Sequence, residues 1–182
     1  MTDNHFQNID YELVRLTADE KKLIGGFCCG NETIDTYLKD KAIDDDAGRT
    51  YLFVRENVIV GFFTLSCSGL TYKNYNSLQT FPAIEIRYFA VDKKYQKYSI
   101  SELSEDESDP YYLSDQMLCD TISYCKIISE ELIAAQFILL YSVEYAVKFY
   151  KRNLFEPFRE DFQSDQIRFL EKCTPMFMPL YD

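Results

Sequence analysis

Tryptophan is absent from this 182-residue chain, histidine occurs once, and no apolar run is suited to a membrane span. The single histidine, His5, stands in the first turn's worth of residues, which excludes a histidine-centred triad or a histidine-rich zinc site. Paired C-x-x-C spacing is missing too. The six cysteines, at 28, 29, 67, 119, 125 and 173, therefore read as small buried hydrophobes of a reducing compartment, with no metal expected. The opening MTDNHFQNIDYELV has neither the basic start nor the apolar centre of a signal peptide, so the expected location is the cytoplasm. Positive charge is also scarce. A net charge of −11 argues against a large nucleic-acid footprint, because phosphate binding needs a local positive field. Lys93, Lys94 and Lys97 still make one small basic cluster.

What is present is ordinary for one folded domain, and the whole chain, 1–182, is read as one. Hydrophobic residues make up 47%, and the 15 tyrosines and 14 phenylalanines predict an aromatic core or an aromatic-lined pocket. Alternation predicts a first strand over 11–17. Asn31 caps a predicted helix whose apolar face is Ile34, Tyr37, Leu38 and Ala42, ending near Asp44 to Asp46. That triple acid opposes the helix dipole and is expected to face water or a cationic partner.

Two strands follow, TYLFVREN and VIVGFFTLSCSGL, around a tight turn at Glu56-Asn57. Residues 72–82 read as a polar loop, and 83–91 as a central strand covered on both faces. The acidic stretch 99–110 reads as an exposed loop. Asp109 and Pro110 then start a long helix with Leu113, Met117, Leu118, Ile122 and Ile128 on its buried face. A strand at 135–142, a short helix at 143–153 and closing strands in LFEPF and QIRFLEKCTPMFMPLY complete the chain, with Pro175 and Pro179 marking an edge or bulge. The order describes an α/β chain, a mixed sheet with helices packed on it.

Three segments carry a resemblance: PAIEIRYFAVDKKYQ (82–96), FCCGNETIDTYLKDKAIDDDAGRTYLFV (27–54) and VKFYKRNLFEPF (147–158). Together they resemble the GCN5-related N-acetyltransferases (GNAT), and within them the toxin-type branch that modifies aminoacyl-tRNA. The resemblance implies the GNAT-like acyl-CoA N-acyltransferase fold and acetyl-CoA as cofactor. It implies that backbone groups of Phe89, Ala90 and Val91 hold the pantetheine arm, that Tyr150 is general acid for the departing thiolate, and that Arg87 stands beside the active centre.

The residues themselves agree with that chemistry. An amine attacking a thioester needs alignment, proton removal and a donor for the developing thiolate. A phenol supplies such a donor, and Lys148 and Lys151 on either side of Tyr150 suit anionic groups of the cofactor. Glu85, two residues before Arg87 on the same strand face, is the candidate base, with a structural Glu85–Arg87 pair as the alternative.

One departure stands out. Where family members place a glycine-lined diphosphate turn, this chain has QKYSIS, residues 96–101, so Gln96, Lys97, Ser99 and Ser101 are its candidate contacts. Either helix amides from YYLSDQM, including Ser114, complete a cradle, or the cofactor site has decayed. Acidity favours a small amine or a peptide or protein amine as acceptor. Aminoacyl-tRNA and a catalytically silent domain binding a basic protein are the alternatives. The apolar TPMFMPLY has two uses open to it, internal packing or a homodimer edge.

Overall fold

A computed structural model of the chain describes residues 10–74, 77–100, 110–164 and 173–181. They form two compact units, one of Met1–Phe63 and Tyr88–Cys119, the other of Thr64–Arg87 and Asp120–Asp182.

The first unit is built on strands β1 (Glu12–Arg15), β2 (Arg49–Arg55), the start of β3 (Val58–Asn74) and the end of β4 (Ser77–Val91), adjacent in that order. β1 lies antiparallel to β2, with Glu12 opposite Val54 and Arg15 opposite Tyr51. Glu56 and Asn57 join β2 to β3 with φ of 49° and 63°. Two consecutive left-handed residues give a turn whose twist matches that of the flanking strands, so the expected hairpin forms there. Helix α1 (Glu32–Asp40) starts as expected, the Asn31 side chain accepting from the Thr33 and Ile34 amides at 3.1 and 3.3 Å. Its Tyr37 and Leu38 are buried with Ile24, Phe27, Leu52, Ile59, Phe62 and Ala90. Ala42 joins this core from beyond the helix, because α1 stops at Asp40. The acidic triple divides: Asp44 and Asp46 face water, while Asp45 accepts from the Tyr37 hydroxyl at 2.8 Å and the Ala47 amide at 2.9 Å.

The second unit holds the rest of β3 and β4, then β5 (Phe137–Val143), β8 (Cys173–Pro179) and β6 (Glu156–Pro157) in spatial order, with β7 (Phe162–Ser164) paired to β3. The β4–β5 pair is parallel and the β5–β8 pair antiparallel, which makes the sheet mixed. Leu70, Ala83, Leu139 and Phe177 form its core, with Phe137, Phe158 and Phe162 packed against them.

Several expectations change here. Residues 72–74 and 77–82 are strand rather than loop, because this exposed part of the hairpin needs no apolar alternation to pair. Helix α2 (Leu113–Glu131) begins three residues after Pro110, so proline is not in its first turn; Asp109 lies outside the described residues. Its face is Leu113, Met117, Leu118, Thr121, Cys125 and Ser129, with Ile122 and Ile128 only half-buried. The Ser129 hydroxyl, buried, donates to the Ala135 carbonyl at 2.5 Å. β8 is not the edge: β6 covers it, though only at Met176 and Phe177, which leaves Pro175 and Pro179 outside that ladder. Most of 99–110, 165–172, Ser101 and His5 lie outside the described residues.

Candidate functional site

The residues expected to hold a cofactor on β4 and its following turn all belong to the first unit. Phe89 is half-buried and Ala90 and Val91 are buried at the end of β4. The parallel ladder with β5 pairs Ala83–Ile86 with Phe137–Leu140 and ends there, while β4 itself runs on to Val91. A strand that continues past its ladder is the kind of edge that an extended chain bearing amides, such as a pantetheine arm, joins, and at its end Val91 O already accepts from Gln96 Nε2 at 2.9 Å.

After β4 the chain is pinned to the α1 entry loop. Asp92 accepts from the Cys28 amide at 3.0 Å, Cys28 O accepts from the Lys93 amide at 2.9 Å, and the Lys93 side chain lies against Gly30. Gly30 has φ +90°, which calls for glycine, whereas the Lys93 Cε that a Cβ there would meet at 2.3 Å is a flexible side-chain end that can swing away. Gln96 closes the same clasp, its amide donating to Cys29 O at 2.7 Å and Val91 O at 2.9 Å. Burial, first, pushes the Cys29 thiol up to about 12, which removes it as a nucleophile at neutral pH.

The turn that follows differs from a glycine cradle. The Tyr98 amide donates to Tyr95 O at 3.1 Å, Ile100 to Tyr111 O at 3.0 Å, and Leu113 to Tyr98 O at 2.9 Å. Ser99 and Tyr112 form a bridge, and the Tyr112 amide donates to Asp115 Oδ2 at 2.9 Å. The Tyr112, Leu113, Asp115 and Gln116 amides at the start of α2 thus have partners inside the chain. Side-chain donors remain: Lys97 and Ser99 are exposed and Ser114 is half-buried. The residues fit the pantetheine end of an acyl-CoA; at the diphosphate end they offer hydroxyls and a lysine instead of a run of amides.

The proton-handling candidates belong to the second unit. Tyr150 sits in α3 (Val147–Arg152), 8% exposed, its ring edge-on to Phe149 at 5.1 Å and Phe155 at 5.8 Å. The helix ends at once: Asn153 bonds Phe149 O, Leu154 takes φ 69°, and the returning Phe155 amide donates to Tyr150 O at 3.0 Å. That sharp exit brings Phe155 back against the tyrosine ring. No described residue hydrogen-bonds the phenol. Burial, with the negative field of Tyr145 second, pushes its pKa well above the usual phenol range. Lys148 and Lys151 on the same helix are exposed.

Glu85 is 1% exposed, opposite Leu139 in the ladder and on the face of Ala83. Arg87 is half-buried two residues on. Glu85 Oε2 and Arg87 Nε are buried atoms, both residues being engaged elsewhere. Sequence reasoning missed Ser66 and Ser68 of β3, whose buried hydroxyls have no hydrogen-bond partner among the described residues. Nothing in FTLSCSGL signals this, since serine in a strand reads as an outward residue. It also missed Asp115. Among the described residues no group of histidine, cysteine, aspartate or glutamate is arranged to hold a metal, and no helix is long and apolar enough to cross a membrane.

No family model matches the sequence, and no curated protein matches it. Solved structures do. The AtaT toxin bound to the C-terminus of the antitoxin AtaR superposes with a TM-score of 0.66 at 17% identity, covering 94% of each chain. The same toxin with antitoxin and acetyl-CoA gives 0.66 and 17% over 94% of each chain. The KacTA–DNA complex gives 0.64 and 18%, again over 94% of each chain. The chain has the GNAT-like fold of these toxins. That likeness bears out the mixed-sheet architecture over nearly the full length, and at such identity it speaks to fold alone.

Proposed function

We propose that this chain is an acetyl-CoA-dependent N-acetyltransferase of the toxin type, whose acceptor is the α-amine of an aminoacyl-tRNA. The observation that carries the reading is end-to-end likeness to the AtaT toxin, one of whose structures contains acetyl-CoA. The motif resemblance in 27–54, 82–96 and 147–158 points the same way.

Acetyl-CoA supplies an acetyl group already activated as a thioester. The main chain of Phe89, Ala90 and Val91 pairs with its pantetheine amides, while Gln96 keeps the end of β4 tied to the α1 loop. Lys97, Ser99, Ser114, Lys148 and Lys151 are the donors available to its phosphates, with Ser101 in the same stretch. Tyr150 holds its phenolic proton through the whole physiological range, because burial disfavours the phenolate, and gives that proton to the leaving sulfur. Glu85 takes a proton from the attacking amine, directly or through water, and Arg87 balances its charge along the strand. An antitoxin-like protein is the partner class, since the AtaT and KacT structures include antitoxin and DNA complexes.

A second reading, with a small or peptide amine as acceptor, is favoured by the net charge of −11. Incubation with acetyl-CoA and either aminoacylated tRNA or free amines, followed by mass spectrometry of the products, separates the two. N-acetyl-aminoacyl-tRNA is the expected product. Acetylated amines with unchanged tRNA would replace the main reading by the second.

A further inference from the structure

Helix α3 and the 3-10 turn Glu144–Ala146 that leads into it have two unlike sides. Tyr150 is buried and Ala146 and Val147 are half-buried, whereas Tyr145, Lys148, Lys151 and Arg152 face water. Tyr145, Lys148 and Arg152 follow one another at the three- and four-residue intervals that share one helix face. From Tyr145 to Phe155 there are three cations and no carboxylate, in a chain with 30 acidic residues against 19 basic; Glu144 and Glu156 lie just outside the stretch. Tyr145 is 77% exposed, and the Arg152 guanidinium lies 5.9 Å from the Phe149 ring centroid, which ties it to the helix surface. A single exposed tyrosine needs no explanation, but beside cations it has a use. Unpaired bases stack on aromatic rings and guanidinium planes while neighbouring cations meet the phosphates, a combination that suits a single strand and not a duplex.

We propose that this outward face binds a single-stranded RNA end, with Tyr145 as the platform for an unpaired base and Arg152 as the cation beside it. Roughly 10 Å of helix separates the two, so the contact covers only a few nucleotides, as a net charge of −11 requires. The inference deepens the aminoacyl-tRNA reading and rests on it for the identity of the RNA. It makes Tyr145 the residue by which the chain prefers an RNA-borne amine to a free one. Lys148 and Lys151 add to the local field and stay unchanged in the test, because they are also donors for the cofactor's phosphates.

Fluorescence anisotropy with a short labelled RNA strand, the same strand in a duplex, and an acidic peptide of equal charge tests it on the wild type, Tyr145→Ala, Tyr145→Phe and Arg152→Gln. The wild type should prefer the single strand. Tyr145→Ala should weaken that binding by about fivefold or more, Tyr145→Phe should keep it, and Arg152→Gln should lower the slope of log affinity against log salt by about 0.7. Calorimetric acetyl-CoA affinity should be the same in all four proteins. Equal strand affinity in the wild type and Tyr145→Ala, no preference for strand over duplex, or a peptide that binds as tightly with the same dependence on Tyr145 overturns the proposal. Acetyl transfer to aminoacyl-tRNA with KM unchanged in Tyr145→Ala and Arg152→Gln also overturns it and leaves the enzyme reading standing. Strand binding that depends on Tyr145, without any transfer, keeps the RNA surface and removes the acceptor assignment.

Discussion

Tyr150 joins two properties that rarely coincide: a polar hydroxyl and a nearly complete aromatic surround, with Phe149 and Phe155 on its ring. Its raised pKa has a definite sign. The folded chain retains the proton where the unfolded chain, near pH 10, gives it up. Its contribution to stability is therefore intact below about pH 10 and is lost as pH rises beyond that. Alkaline unfolding followed by tyrosinate absorbance should show Tyr150→Phe losing less stability above that pH than the wild type. As general acid the same residue is worth a factor of about 10²–10⁴, so Tyr150→Phe should lower the transfer rate by that much while calorimetric acetyl-CoA affinity stays put. A purely packing tyrosine would leave the rate alone. The serines of β3 behave oppositely. A buried hydroxyl without a partner costs about 1–3 kcal/mol, so Ser66→Ala or Ser68→Ala should leave urea stability unchanged or raise it, by up to about 1 kcal/mol. Thr71→Val should lower it by about 1 kcal/mol, because the Thr71 and Thr80 hydroxyls bond at 2.9 Å.

At the scale of elements, legibility followed the local physics. Asn31 announced α1 because a cap is a short-range hydrogen bond, and Asn31→Ala should cost about 1 kcal/mol in chemical denaturation. Glu56-Asn57 was legible as a turn for a similar reason, two residues between two apolar runs. The 72–82 stretch was not, because Ser77, Leu78, Gln79 and Thr80 are exposed, and an exposed ladder writes no alternation into the sequence. The start of α2 was placed too early for want of tertiary information: the helix begins at Leu113, where the Tyr112 amide bonds the Asp115 carboxylate, and not at Pro110. Thr121 and Ser129 on its buried face were equally hidden, since a satisfied polar group in a core looks like a surface residue. Gly61 gives the sharpest element-scale prediction. A Cβ there would fall 2.7 Å from Ala90 O of the neighbouring strand, which is backbone, and 2.2 Å from Met117 Cε, which can swing away. Gly61→Ala should therefore cost about 1–3 kcal/mol in urea denaturation through a strand displacement, and at the end of β4 it should weaken thioester binding as well.

For the whole molecule, the fold was legible because three separated motifs agreed, and the acceptor was not, because net charge and fold likeness point in different directions. Net charge acts over the full reach of the field, whereas the Lys93, Lys94 and Lys97 cluster and the exposed Lys148 and Lys151 act only close by. Ionic strength separates the two ranges, since the screening length falls from about 30 Å at 0.01 M to about 10 Å at 0.1 M. For a tRNA acceptor, the first additions of salt screen the long-range repulsion from a net charge of −11, and later additions weaken the lysine–phosphate contacts. The KM for aminoacyl-tRNA should therefore pass through a minimum as salt rises. A cationic small amine is attracted by the same field, so its KM should climb from the lowest salt onward. Steady-state measurement of KM across that range decides which electrostatic regime governs the acceptor; a tRNA KM that climbs steadily from the lowest salt would mean that a local basic surface, not the net charge, sets the encounter.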